Sequence, residues 1–286
     1  MNEMIQKEDL LHSLGLSCVE NYLLAVCKNK LNGYESLFCE SFLTFDDILS
    51  EFFEKETEYA YFEAIPRIQT TAKNMGIISF EWMKQQEFIV PKDGYLCIRV
   101  KKTYMTEKYK TALWRGDHFF MVFSEGNGEY TYLNDSPCDK ASITKEELFQ
   151  LYDGEYIHFS LLEKDISNQR ETCEQIFYDT LKKSSREIKI KAPDIMKIRD
   201  VLGVLRVVRR RMEVFLSYRK LLCNSIKHMD TDLIKEDIAH LDRAYIAMEY
   251  MQKRNRLDIT KIQTLMEEIR TREKEMLTMI RNRRAT

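Results

Sequence analysis

The stretch 118–135, HFFMVFSEGNGEYTYLND, decides the fold. Two apolar and aromatic runs flank Gly126-Asn127-Gly128, a composition that permits a tight reversal, so the segment reads as two antiparallel strands of one hairpin. Working outward, ISFEWMKQQEF (78–88), GYLCIRVKK (94–102) and EYIHFSLLE (155–163) read as further strands, with a turn at Lys92-Asp93-Gly94. ITKEELFQLY (143–152) reads as a short helix with Thr144 as its cap. Upstream, VENYLLAVCKNKL (19–31) places Val19, Tyr22, Leu23, Val26 and Leu31 at helical spacing, and residues 63–75 again look helical. Ser17 suits the N-cap of the first helix, with Glu20 three residues on completing a capping-box pattern. Helices first and an antiparallel sheet afterwards predict an α+β fold.

Charge divides the chain further. The formal net charge of the 286 residues is −2, yet residues 1–164 carry 17 Lys+Arg against 27 Asp+Glu, and residues 165–286 carry 27 against 19. The basic part changes character too. IMKIRDVLGVLRVVRRRMEVFLSYRKLLCNSIK, LIKEDIAHLDRAYIAMEYMQKR and ITKIQTLMEEIRTREKEMLTMIRNRR hold apolar residues at three- and four-residue spacing. Asp230 and Asp258 are possible caps, and a shorter helix covers roughly residues 166–184. The expectation is a catalytic domain over 1–164 and a C-terminal α-helical bundle over 165–286.

Three residues carry the candidate chemistry: Cys18 in the first turn of the first helix, His118 opening one hairpin strand, and Asp135 ending the next. A free thiol titrates near about 8.5, and its pKa falls at a helix N-terminus or beside an imidazolium, so Cys18 is expected to be a thiolate at neutral pH. His118 supplies the imidazole, and Asp135 fixes its tautomer and stabilises the cation. Cys27, nine residues on in the same helix, is the rival nucleophile; Asn134 competes for the third position, and His158 is the alternative base. Asp117 neighbours His118, but adjacent strand residues point to opposite faces.

At SCVENYLLAV, HFFMVFSEGNGEYTYLND and ITKEEL the chain resembles the papain-like cysteine acyltransferases of natural-product biosynthesis, of the butirosin acyltransferase N-terminal-domain type. In its helical tail it also resembles the amide-forming enzyme of closthioamide assembly. The resemblance implies a papain-like fold and a Cys18-His118-Asp135 triad. It further implies ATP-independent amide formation, with an acyl group passing from a carrier-protein thioester onto Cys18 and on to a primary amine. Papain-type enzymes place a Gln oxyanion donor six residues before the nucleophile; here that position is His12, leaving Ser13, Asn21 or backbone N–H groups for the role. No Gly or Trp flanks Cys18 in the protease manner. A cysteine protease or amidase is the alternative.

Other features fit blander roles. Cys39, Cys97, Cys173 and Cys223 read as packing and Cys138 as exposed, while His228 and His240 belong to the helical part. Phe42, Phe45, Phe52, Phe53, Tyr59, Tyr61 and Phe62 serve a core or an acyl pocket. The Arg209-Arg210-Arg211 run and the Arg281-Asn282-Arg283-Arg284 tail read as solvated helix faces, or as a docking surface for an acidic carrier protein or nucleic acid. Seven scattered cysteines without disulfide or zinc spacing, no secretory signal and no long apolar stretch point to a cytoplasmic protein. No metal or organic cofactor is expected beyond a phosphopantetheine arm on the donor. The expected partners are an acyl or peptidyl carrier protein and a small amine, with neither nucleic acid nor membrane.

Overall fold

A computed structural model describes residues 5–10, 17–40, 44, 68–91, 93–110, 117–126, 128–184, 231–254, 256 and 258–284. The chain divides into two compact units. The first comprises Met1–His12, Leu16–Tyr34 and Ile68–Ser167; the second comprises Ser13–Gly15, Glu35–Arg67 and Asn168–Thr286.

The first unit is α+β, built on one six-stranded antiparallel sheet. Its strands are β1 (Ile78–Lys84), β2 (Tyr95–Val100), β3 (Phe119–Gly126), β4 (Glu129–Asn134), β5 (Asp139–Thr144) and β6 (Tyr152–Leu161), in spatial order β1-β6-β2-β3-β4-β5. The expected hairpin is β3–β4, with Met121 opposite Leu133 and Val122 opposite Tyr132. β2 and β3 lie inside the sheet, which is why YLCIRV and FFMVF read as nearly continuous apolar runs rather than alternating ones. The turn before β2 requires Gly94. Its φ is +90°, and an added Cβ would sit 2.4 Å from His158 Nε2 and 2.8 Å from the Phe159 carbonyl oxygen.

Alternation sends the sheet's side chains to two cores. On one face Leu96, Ile98, Phe120, Val122 and Tyr132 pack with Met105 of α3 (Lys102–Tyr109) and with Leu148 and Leu151 of α4 (Lys145–Leu151). Thr144 caps α4 with a complete capping box, its hydroxyl accepting from Glu147 N–H while the Glu147 carboxylate accepts from Thr144 N–H. The other face carries Cys97, Phe119, Met121, Leu133, Ile157 and Phe159, all buried. Helix α1 (Cys18–Lys30) packs against β3 and buries Val19 and Asn21 to Cys27. Ser17 caps α1 as expected, accepting from Glu20 N–H at 3.4 Å. The short α2 (Ile68–Asn74) is also in this unit. Helix α3 and strand β5 are additions to the sequence reading.

In the second unit the described helices are α5 (Arg170–Ser184), α6 (Thr231–Lys253) and α7 (Ile259–Arg284). α6 and α7 pack on each other and bury Leu241, Ala244, Met248, Met266, Ile269 and Met276. Asp258 caps α7, accepting from Lys261 N–H at 3.0 Å. Cys39 and Cys173, both buried here, share a thiol hydrogen bond. The segment 195–227, Asp230, Cys223, His228, the Arg209-Arg210-Arg211 run and the aromatic group from Phe42 to Phe62 lie outside the described residues. Among the described residues no helix is long and apolar enough to cross a membrane.

Candidate active site

One side chain locks α1 onto the two strand ends that matter. The Tyr22 hydroxyl lies 3.0 Å from the carbonyl oxygens of both Phe119 and Leu133, and it accepts from Asp135 N–H at 3.1 Å. Phe119 follows His118 and Leu133 precedes Asn134-Asp135, so this fully buried phenol ties the first turn of α1 to the start of β3 and the end of β4. In the sequence Tyr22 reads only as an apolar helix residue; its hydroxyl is the device that assembles the site.

Donor atoms of Cys18, His118 and Asp135 accordingly lie within 4.8 Å of one another, with Cys18 half-buried and the other two buried. Among the described residues this is the group of His, Cys and acidic side chains close enough together to hold a metal ion, and a Cys/His/carboxylate set suits zinc. Sequence spacing conceals that possibility, because the three donors come from separate elements.

The hydrogen bond to the imidazole comes from Asn134, the rival for the third position. His118 Nε2 lies 2.6 Å from Asn134 Oδ1, whereas Asp135 Oδ1 stands 3.8 Å from the same nitrogen. Ser136 N–H donates to Asn134 Oδ1 at 3.4 Å, which identifies that atom as the amide oxygen. Oxygen there can only accept, so Nε2 bears the hydrogen and the neutral ring keeps its lone pair on Nδ1. Burial depresses the His118 pKa below 6.5, while the Asn134 hydrogen bond pulls the other way.

Cys18 differs from the thiolate expectation. N–H groups of Phe119, Val19 and Cys18 itself point at the sulfur and favour the anion. Desolvation, reinforced by the Asp135 charge, outweighs them and pushes the thiol up to about 12. Burial likewise raises the Asp135 carboxyl to about 6, against hydrogen bonds from Asn21 and Ser136. At neutral pH the resting site therefore holds a thiol, a neutral imidazole and a mostly ionised carboxylate.

The remaining candidates separate cleanly. Cys27 is buried in α1 outside the cluster, its thiol pushed by desolvation up to about 12. Cys97 of β2 is buried within electrostatic reach of Cys18 and Asp135, and Cys138 is exposed. His158 lies 3.1 Å from the Asp93 carbonyl, away from the cluster. Asp117 is exposed and 3.8 Å from Lys102 Nζ. Asn21 serves Asp135 rather than standing ready as an oxyanion donor, and His240 lies in α6 of the second unit. His12 and Ser13 lie outside the described residues. The N–H groups of Cys18 and Val19 lie in the first turn of α1, where helix geometry leaves backbone donors without an intrahelical partner.

Compared with known proteins, the chain matches no family model and no curated protein.

Proposed function

We propose that this protein is a papain-like cysteine acyltransferase that forms amides from carrier-protein thioesters without ATP. The observation that carries the reading is the Cys18, His118 and Asp135 cluster at the start of a helix, with Asn134 bound to the imidazole. Cys18 Sγ attacks the thioester carbonyl as its proton passes to His118, and the imidazolium returns that proton to the departing donor thiol. The amine nitrogen then attacks the acyl-enzyme and gives its proton to His118; the C–N bond forms, the C–S bond to Cys18 breaks, and the thiol is regenerated.

The resting protonation states favour a thioester over a peptide. With the His118 pKa lowered and the Cys18 thiol pushed up to about 12, the thiolate–imidazolium pair is costly to form, which suits an activated thioester carbonyl better than an unactivated peptide. A thiol also leaves with far less help than an amine does, since its pKa is near about 8.5. In the same reading the helical second unit is a C-terminal bundle that receives the acidic carrier protein on its basic surface, and the enzyme works in the cytoplasm. The runner-up, a cysteine protease or amidase, uses the same cluster with water as acceptor.

The test is the fate of the acyl group. The full chain, with a panel of aryl and aminoacyl N-acetylcysteamine thioesters and 1,3-diaminopropane, should release amide faster than free acid, unchanged by EDTA. Acid alone, or cleavage of unactivated peptides, supports the hydrolase; loss of turnover in EDTA supports a metal held by the trio.

A further inference from the structure

One oxygen of the candidate site stands without a hydrogen bond. The Asp135 side chain is only 9% exposed, and among the described residues its Oδ1 has no hydrogen-bond partner. That oxygen lies 3.8 Å from His118 Nε2, too far for a hydrogen bond. A carboxylate oxygen held out of water without a donor costs free energy until a proton or a cation meets it. The acyl-transfer steps above supply neither.

We propose that Cys18, His118 and Asp135 bind a zinc ion that reversibly inhibits the enzyme by occupying its nucleophile and its base. Cys18 Sγ, a ring nitrogen of His118 and a carboxylate oxygen of Asp135 all lie within 4.8 Å of one another. Around tetrahedral zinc, bonds of about 2.0–2.3 Å set neighbouring donors about 3.3–3.6 Å apart, so closing on the ion takes about an ångström of movement. Charge favours the same ion. Thiolate and carboxylate carry two negative charges between them, and a divalent cation makes the buried set neutral. The sulfur selects against magnesium and calcium, which take oxygen ligands. Asn134 Oδ1, 2.6 Å from His118 Nε2, orients the ring, as outer-shell partners of metal-bound histidines do. On binding, one bond forms to zinc from each of the three donors and the Cys18 thiol proton passes to solvent; no electron is transferred. The sulfur lone pair that attacks a thioester and the ring nitrogen that takes its proton are then both engaged.

Inhibition rests on the acyl-transfer reading given above, whereas binding does not, so the experiment measures the two apart. Binding is read with cobalt(II) added to the full chain after EDTA treatment and desalting. The wild type should show a thiolate-to-cobalt charge-transfer band that zinc abolishes. The band should be absent from Cys18→Ala and kept in Cys27→Ala and Cys138→Ala. Asp135→Asn should need more than about tenfold more cobalt, since even outer-shell changes cost that much. Cys18→Ser takes the place of Cys18→Ala if that variant does not fold. Inhibition is read as amide release from a thioester and, separately, as Cys18 alkylation by iodoacetamide with peptide mapping. Zinc at about ten times its dissociation constant leaves about a tenth of the sites free, so both should fall about tenfold and recover in EDTA. No band in wild type, a band of equal strength in Cys18→Ala, or an unchanged cobalt requirement in Asp135→Asn overturns the proposal and leaves acyl transfer standing. Amide release only with zinc bound overturns inhibition. No amide with or without metal sinks the acyl-transfer reading alone, and the cobalt band and the protection of Cys18 by zinc then decide the site.

Discussion

At the residue scale, Asn134 and Asp135 make opposite contributions although they are neighbours. Asn134 orients the imidazole, so Asn134→Ala should slow Cys18 alkylation about tenfold or more. Asp135 raises the Cys18 pKa through its charge, so Asp135→Asn should speed alkylation at pH 8. Stability gives an independent check. The folded Asp135 carboxyl is raised from 3.8 to about 6, so the folded state binds its proton more tightly than the unfolded chain does. Its contribution is fully present below 3.8 and is lost as pH rises to about 6. With each pKa unit worth about 1.4 kcal/mol, and three hydrogen-bonding partners disturbed by the change, Asp135→Asn should gain about 1–2 kcal/mol at pH 7 and little at pH 4. Urea unfolding at the two pH values measures this; equal destabilisation at both would refute it. His118 acts with the reverse sign, its lowered pKa costing stability as pH falls below 6.5.

At the element scale, the strand ends on the α1 face form a row of charge beside the site. Arg99 of β2 faces Phe119, and Glu155 of β6 faces Lys84 of β1. Arg99 Nη1 bonds Glu155 Oε2, Arg99 Nε lies 3.2 Å from Asp153 Oδ2, and Trp82 Nε1 donates to Glu155 Oε1 at 2.5 Å. Trp82 also meets the Phe119 ring edge-on at 5.7 Å between centroids. Glu155 is only 4% exposed, so Arg99→Ala leaves a buried carboxylate with Trp82 Nε1 and the exposed Lys84, 3.7 Å away, and should cost about 3 kcal/mol in urea unfolding. Arg99→Met with Glu155→Leu should recover most of that loss; a double variant as unstable as Arg99→Ala would show that packing, not the ion pair, is at stake. None of this row was legible in the sequence, because strand register brings it together. Helix α1 was legible through its cap and spacing, and α4 through Thr144 and Glu147. Helix α3 was not: KTYMTEKY has no side-chain cap and buries only Met105. Strand β5, DKASIT, is a polar edge strand with Ile143 as its one buried side chain.

At the scale of the whole molecule, the sequence order of helices, then sheet, then helices carries over to the described residues, and the charge split marks a change from sheet to helix near residue 165. The grouping of Cys39 with Cys173 of the C-terminal part was not legible, since a lone small apolar residue looks the same whichever core it joins. For the site, Cys18, His118 and the Asn134-Asp135 pair could be named because helix start, strand start and strand end are local signals. The choice between Asn134 and Asp135 could not, because both side chains approach the same ring nitrogen, at 2.6 and 3.8 Å, and only the fold sets those distances. The central claim is that Cys18 carries the acyl group, and intact-protein mass spectrometry after mixing with an activated thioester tests it most directly. The account predicts one acyl mass increment on wild type and on Cys27→Ala, none on Cys18→Ala, and its discharge as an amide when 1,3-diaminopropane is added. An increment that persists in Cys18→Ala, or that disappears in Cys27→Ala, would contradict it.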